Sequence, residues 1–380
     1  MEKQLDEILK SHVVSLSETE VKDKFLAAGF VLVDKNGVVY TGTAGRLDFD
    51  PSSPAYEQDS VSWLASMSKL ATAVSLLQLV ERGIIGLDDD IRSTLPELAA
   101  LPVLCGFEND GKPILEVHGR VITLRHLLSH TLGIGVDMAD PDLIQWSKST
   151  GRRINYMSYT LEGISTPLKF APGEGWYYGT APLGMASTTF KPEDITDITK
   201  CRLAFAYSET DDKGSMTLKP GLSPLPTKRE EGFEAGGSGL FSTPADYDRL
   251  LHGVLSHRVL NAETMDLFFA PQLNDTQRGI LMVIAEYARE GGFTPELPAN
   301  CPLDHGLAGV LNTVDVPGKR RAGSLMWSGA TNGRWWIDRK TGIAGAVFTQ
   351  VEPHGNEVLV GMFDELERAV YRGRLGGVSG

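Results

Sequence analysis

The sequence predicts an α+β fold in which an antiparallel sheet is flanked by helices and joined by a mainly helical second lobe. Three observations predict it: a strand pair near the N-terminus, three strand-like runs near the C-terminus, and helical periodicity in the long stretch between them. One sheet built from both ends of the chain, with the middle inserted, accommodates all three. The division falls at residues 1–65 with 235–380 for the sheet domain and 66–234 for the helical domain, with the site between them.

Taken in order, residues 1–25 read as helix. Phe30-Val31-Leu32-Val33 and Val38-Val39-Tyr40 are β-rich and flank Asn36-Gly37, a pair that supplies the positive φ of a tight hairpin at little cost. From Ser62 to Arg82 the residues Leu64, Met67, Leu70, Val74 and Leu77 recur at helical spacing, and Gly83 stops the run. Residues 85–175 read as helices and loops. Ser324–Trp327, Gly333–Ile337 and Ile343–Phe348 then alternate with turn residues as strands, and a helix closes the chain from Glu357 to Tyr371.

The 380 residues include 36 Lys+Arg against 49 Asp+Glu, a net charge of -13, and 42% are hydrophobic. That apolar content excludes disorder, and a chain of this length buries enough surface to build a deep cleft. The acidic balance argues against nucleic-acid or anionic-membrane partners, which need clustered cations, and leaves a small-molecule or protein partner. The N-terminus mixes both charges where a signal peptide has a basic patch and an apolar run. No apolar run reaches the roughly 18 residues of a membrane span. Cys105, Cys201 and Cys301 are odd in number and far apart, which suits neither a disulfide frame nor a zinc knuckle. A cytoplasmic setting with reduced cysteines is the expectation.

Ser66-Met67-Ser68-Lys69 opens the first strong helix. Residues three apart share a helix face, with Cβ atoms about 5–6 Å from each other, so the lysine amine can reach the serine hydroxyl. The helix start adds unpaired N–H groups for an oxyanion and a positive dipole end that disfavours an ammonium. To act as a base, the lysine must be brought down from about 10.4 toward neutrality, which requires burial. The same four residues also suit a solvated helix lysine, so the pattern needs context.

That context is a chain of landmarks. Ser62-Trp63-Leu64-Ala65-Ser66-Met67-Ser68-Lys69-Leu70, Val80-Glu81-Arg82-Gly83-Ile84-Ile85-Gly86-Leu87-Asp88-Asp89 and Ile122-Thr123-Leu124-Arg125-His126-Leu127-Leu128-Ser129-His130-Thr131 come first. Ala171-Pro172-Gly173-Glu174-Gly175-Trp176-Tyr177-Tyr178-Gly179, Ala181-Pro182-Leu183-Gly184-Met185 and Gly236-Gly237-Ser238-Gly239-Leu240-Phe241-Ser242-Thr243 follow. In their order and spacing the chain resembles the serine β-lactamase and penicillin-binding protein superfamily, in particular its class C-like esterases and the fungal acyltransferases of statin-type polyketides. The resemblance implies a β-lactamase-like fold and acyl transfer through an acyl-enzyme on Ser66, with Lys69 as partner and no metal or organic cofactor.

The resemblance also implies a tyrosine facing the serine and lysine, and the match is Tyr178-Gly179-Thr180, with Tyr177 as runner-up. Thr180 stands where β-lactam-recognising members carry an asparagine that helps bind the substrate amide. For the third family motif Lys340-Thr341-Gly342 spells the form of many β-lactamases, but Asp338–Gly342 has turn composition. Trp327-Ser328-Gly329 ends a strand in the esterase-like form. The Ala330 N–H would then join the Ser66 N–H in an oxyanion hole.

Relatives carry a mostly helical segment between the tyrosine motif and Ala181–Met185, and here the two nearly touch. A true loss opens the pocket and ranks hydrolysis ahead of transfer. His126 and His130 sit four apart without the glutamate of a zinc protease, and Gly236-Gly237-Ser238-Gly239-Leu240 ends in leucine where a nucleophile elbow ends in glycine. The expected activity is a serine hydrolase or acyltransferase acting on an ester or thioester of a small molecule, such as a secondary metabolite, with an acyl carrier or biosynthetic synthase as a further partner. Transesterification as the main reaction, β-lactam-like amide hydrolysis and a catalytically silent binding protein are the alternatives.

Overall fold

A seven-stranded antiparallel sheet forms the centre, and both ends of the chain build it. Its spatial order is Gly37–Gly45, Ala27–Asp34, Ile343–Phe348, Arg334–Asp338, Ser324–Ser328, Val310–Asn312 and Leu303–His305. The computed structural model describes residues 1–158, 160–179, 189–191, 202–221 and 234–375. The N-terminal hairpin turns where Asn36-Gly37 predicts it, with Gly37 at φ +140°. Its inner strand pairs with Ile343–Phe348, so Phe30 faces Val347 across the ladder.

Central strands read as continuous apolar runs because both faces are covered. On one face Phe30 stacks on Trp336, whose ring meets Phe363 of the helix Glu357–Leu375. On the other, Phe348 meets Tyr247 of the helix Pro244–Leu255. Buried charges pin the C-terminal helix: Arg320 makes two hydrogen bonds of 2.7 and 2.8 Å to Glu367, and Lys319 lies 2.9 Å from the same carboxylate.

Three readings need correction. Residues 1–25 are helical only over Glu2–His12, because Val13 takes an extended conformation and the chain doubles back, with Val14 N–H donating to the Phe25 carbonyl. Residues 85–175 include a hairpin of Val103–Phe107 with Pro113–Glu116 besides helices and loops. The run from Ser62 begins as a two-residue strand, tightens into a 3₁₀ turn over Ala65–Met67 and becomes α-helical only at Ser68. The middle of the chain also supplies Ala206–Thr210 and Met216–Pro220, which pair with each other and, in parallel, with Val351–Glu352. Among the described residues no helix is long and apolar enough to cross a membrane. Cys105 and Cys301 are free thiols, and Cys201 lies outside the described residues.

Candidate active site

Ser66 owes its position to a clamped turn. The short strand Ser62–Trp63 pairs with Phe241–Ser242, and the Leu64 N–H donates to the Leu240 carbonyl. Ala65 then adopts φ +46°, an unusual conformation for a residue with a Cβ that costs about 1 kcal/mol. Three bonds hold it there: Ser68 Oγ donates to the Ala65 carbonyl at 2.6 Å, the Leu240 N–H donates to Ser68 Oγ at 3.2 Å, and the Tyr247 hydroxyl donates to the Met67 carbonyl at 3.1 Å. From Val61 to Leu70 every residue but Ser66 is buried. The turn therefore presents one side chain, from a 3₁₀ turn that leads directly into the helix Ser68–Glu81.

Lys69 comes from the start of the following helix and is 9% exposed. Its Nζ lies 3.1 Å from Ser66 Oγ, 3.0 Å from the Tyr178 hydroxyl and 2.8 Å from the Gly237 carbonyl. The Gly236 carbonyl beside it accepts from Thr72. Burial pulls the lysine down to about 8. An ammonium donates to all three oxygens. A neutral amine can keep its bond to the carbonyl, which only accepts, and offer its lone pair to one hydroxyl.

Tyr178 closes the cluster, with its hydroxyl in hydrogen-bond contact with Ser66 Oγ. Its backbone is seated closely: the Tyr177 N–H donates to the His130 carbonyl, and at Gly179 a Cβ would lie 2.2 Å from the Ile134 carbonyl oxygen. Burial raises the Tyr178 phenol, opposed by the Ser66 and Trp327 side chains. Tyr177, the runner-up, gives its hydroxyl to Asp140 at 2.7 Å, and Asp140 is also paired with Lys169 at 2.9 Å. Thr180 and the Ala181–Met185 landmark lie outside the described residues.

Trp327, Ser328, Gly329 and Ala330 line the same cavity as Ser66 and Tyr178. Trp327 is buried, stacks on His130 at 5.4 Å and lies 5.2 Å from the Tyr178 ring. Gly329 allows the closest approach, since a Cβ there would lie 2.6 Å from the Leu64 carbonyl oxygen. That contact brings the strand end against the turn that carries Ser66. Lys340-Thr341-Gly342 is a hairpin turn: Thr341 bonds to Asp338 through both its N–H and its hydroxyl, and Gly342 has φ +75°.

Several residues of the site carry no sequence signal of their own. The Gly236 and Gly237 carbonyls belong to a segment that sequence reasoning uses as a family landmark and tests as a nucleophile elbow, without giving its backbone a role in the site. His130, at φ +58°, meets Tyr178, Trp327 and His305. Burial, with His305 and Lys69 close by, holds it well below an ordinary histidine. Tyr156 reaches Ser238 at 3.1 Å, and His354 reaches Ser328. The periodic spacing of His126 and His130 reads as structural, and only the fold shows that His130 braces both aromatic walls of the site.

The cavity in front of this cluster has a volume of about 690 Å³, within the range of small-molecule sites, and aromatic side chains such as Trp63, Trp176 and Phe293 dominate its walls. Among the described residues no group of histidine, cysteine or carboxylate side chains could hold a metal ion. A hydroxyl bonded to an amine and a phenol at the mouth of an apolar cavity can form and break an ester bond.

Comparison with known proteins gives one consistent picture. The Beta-lactamase family matches residues 9–181. The monacolin J acid methylbutanoyltransferase of Aspergillus terreus is 30% identical over 353 residues, covering 84% of this chain and 83% of the relative. The lovastatin esterase of Penicillium rubens is 29% identical over 348 residues, covering 83% and 86%. Among solved structures, a mutant simvastatin synthase from Aspergillus terreus superposes with a TM-score of 0.82 at 28% identity, covering 98% of this chain and 94% of that one.

Proposed function

This chain belongs to the Beta-lactamase family, and from that premise we propose that Ser66, Lys69 and Tyr178 carry out acyl transfer between small molecules. It is a serine esterase/acyltransferase that acts on small-molecule acyl substrates. The observation that carries the assignment of roles is the contact of Ser66 Oγ with both the Lys69 amine and the Tyr178 phenol at the wall of the cavity.

In the proposed reaction Ser66 Oγ attacks the carbonyl of an ester or thioester while its proton passes to the Lys69–Tyr178 pair. The Ser66 and Ala330 N–H groups receive the developing oxyanion, an arrangement worth about 3–4 kcal/mol in comparable enzymes. The pair then protonates the leaving group. In the second half the incoming hydroxyl oxygen forms the new bond, the acyl–Oγ bond breaks, and the incoming proton returns to Ser66 through the same two groups.

The sequence reading ranks hydrolysis first because a shortened segment after Thr180 opens the pocket, and that segment lies outside the described residues. A cavity of about 690 Å³ with largely apolar walls has room for an acyl group and an acceptor together, and excluding water favours an alcohol over hydrolysis. Transfer to an alcohol is therefore the reading we prefer, with a secondary metabolite as substrate and a donor that is either a free ester or a thioester on an acyl carrier or biosynthetic synthase. A two-lobe division at 1–65 with 235–380 against 66–234, the binding roles of Trp327, Ser328, Gly329 and Thr180, and a cytoplasmic setting belong to the same proposal. An activated ester should leave its acyl mass on Ser66 in a peptide map. An unmodified Ser66 during turnover would move the nucleophile elsewhere.

A further inference from the structure

The same cavity that Ser66 lines holds a second serine, bonded to a histidine that the acyl-transfer scheme does not use. Ser328 Oγ lies 3.1 Å from His354 Nε2, and His354 Nδ1 lies 3.0 Å from the Gly291 carbonyl oxygen. A carbonyl only accepts, so Nδ1 carries the ring proton. Burial, with the Arg334 cation nearby, keeps the imidazole neutral, which leaves Nε2 as an acceptor. The Ser328 hydroxyl therefore donates to His354, and what it can present to the cavity is a lone pair.

A lone pair so presented recognises a donor. It binds a ligand hydroxyl and gains nothing from an ether oxygen or a carboxylate. The described lining points the same way, since it contains Glu352 and no lysine or arginine that could hold an anionic group. Gly291 is itself part of the lining, and its neighbour Gly292 accepts from Arg334, so the imidazole is held from behind by a fixed loop.

We infer that Ser328, oriented by His354, is a recognition point for a non-reacting hydroxyl of the acceptor, so that the site takes neutral alcohols carrying a second hydroxyl. This rests on the acyl-transfer reading above. In the transfer step the reacting hydroxyl oxygen bonds to the acyl carbon, the acyl–Oγ bond of Ser66 breaks, and that hydroxyl's proton ends on Ser66 Oγ. The second hydroxyl stays intact and donates to Ser328 Oγ. His354 is a positioning residue, because without it the Ser328 hydroxyl is free to turn outward as a donor.

The test compares a graded series of α,ω-diols with their monomethyl ethers, using one activated ester as donor and measuring the ratio of ester to acid product. Both products come from one acyl-enzyme, so the ratio does not depend on how fast that intermediate forms. At the best chain length the diol should exceed its ether about tenfold, beyond the twofold statistical advantage of two reacting ends, because an unmet donor–acceptor pair discriminates strongly. Ser328→Ala should reduce the preference to about twofold, and Ser328→Thr should keep most of it. His354→Phe should let the ether compete, whereas His354→Gln, which can accept from Ser328, should preserve part of the preference. Parent protein that treats diol and ether alike, that makes no ester product, or whose preference survives Ser328→Ala overturns the inference. The parent comparison decides alone if the variants do not fold. Absence of any acyl mass on Ser66 overturns the acyl-transfer reading itself, a separate result.

Discussion

The Lys69 amine lies 3.0 Å from the Tyr178 hydroxyl, and the two groups meet on a single oxygen, that of Ser66. Neither could serve alone in its ordinary state. A free lysine holds its proton at neutral pH and a free phenol holds its own. Burial acts on them in opposite directions, lowering the amine and raising the phenol, so the amine is the first of the pair to give up its proton as pH rises.

Activity should therefore climb with pH. The kcat/KM for an activated ester is expected to rise about tenfold per pH unit on the acid side and level off above about 8, where Lys69 becomes neutral. Stability moves with it. A lysine lowered in the folded state binds its proton more weakly there than in the unfolded chain, so between about 8 and the ordinary value of 10.5 folding gains as pH rises. Urea midpoints of the parent and of Lys69→Met should converge across that window. A flat rate profile from pH 6 to about 9 would remove Lys69 from the proton path.

Much of this was legible because the signals are local. Asn36-Gly37 announces a hairpin, the spacing of Ser66 and Lys69 survives any tertiary context, and Asp338-Arg339-Lys340-Thr341-Gly342 has the composition of the turn it makes. What the sequence withheld depends on contacts across long separations. The Gly237 carbonyl reaches Lys69 from 168 residues away, and nothing in Gly236-Gly237-Ser238 indicates that its backbone, and no side chain, is what the lysine needs. The strands Leu303–His305 and Val310–Asn312 are three residues each, too short for alternation to show. The first helix stops at His12 because Val13 and Val14 pack on the sheet, which residue order alone does not reveal.

Lys340 and Trp327 make a paired test of the third motif. Lys340→Ala should leave turnover within about twofold, since its turn lies between two strands and does not line the cavity. Trp327→Ala should lower kcat/KM by at least about a hundredfold, because it removes the surface that His130 and Tyr178 pack against and shifts the phenol from Ser66. Steady-state kinetics on the two purified variants reads the result, and reversed phenotypes would assign the motif to Lys340-Thr341-Gly342.

A buried ion pair behind the cavity should govern stability. Arg334 and Glu296 are fully buried and 3.0 Å apart, and Arg334 also donates to the Gly292 carbonyl. Glu296→Gln leaves the guanidinium without its counter-charge, which costs about 3–5 kcal/mol for such pairs. The urea midpoint should fall accordingly, with lost activity recovered on lowering the temperature. A loss below about 1 kcal/mol would mean that other groups neutralise Arg334.

Ser66, Lys69 and Tyr178 should behave as one unit. Ser66→Ala removes the attacking atom, Lys69→Met the amine and Tyr178→Phe the phenol hydroxyl, and each should lower ester turnover by at least about a thousandfold, because no remaining pair can both attack and move the proton. Combining them should add little, since residues acting as a unit are lost once. The residue of activity left in the triple variant measures what binding and the Ser66 and Ala330 N–H groups provide. Folding should be retained in Ser66→Ala, as Ser66 is the one residue between Val61 and Leu70 that the core does not enclose. Kinetics on all seven combinations, with thermal midpoints alongside, decides the matter: if the three losses multiply, the groups act in separate steps and the shared proton path is wrong.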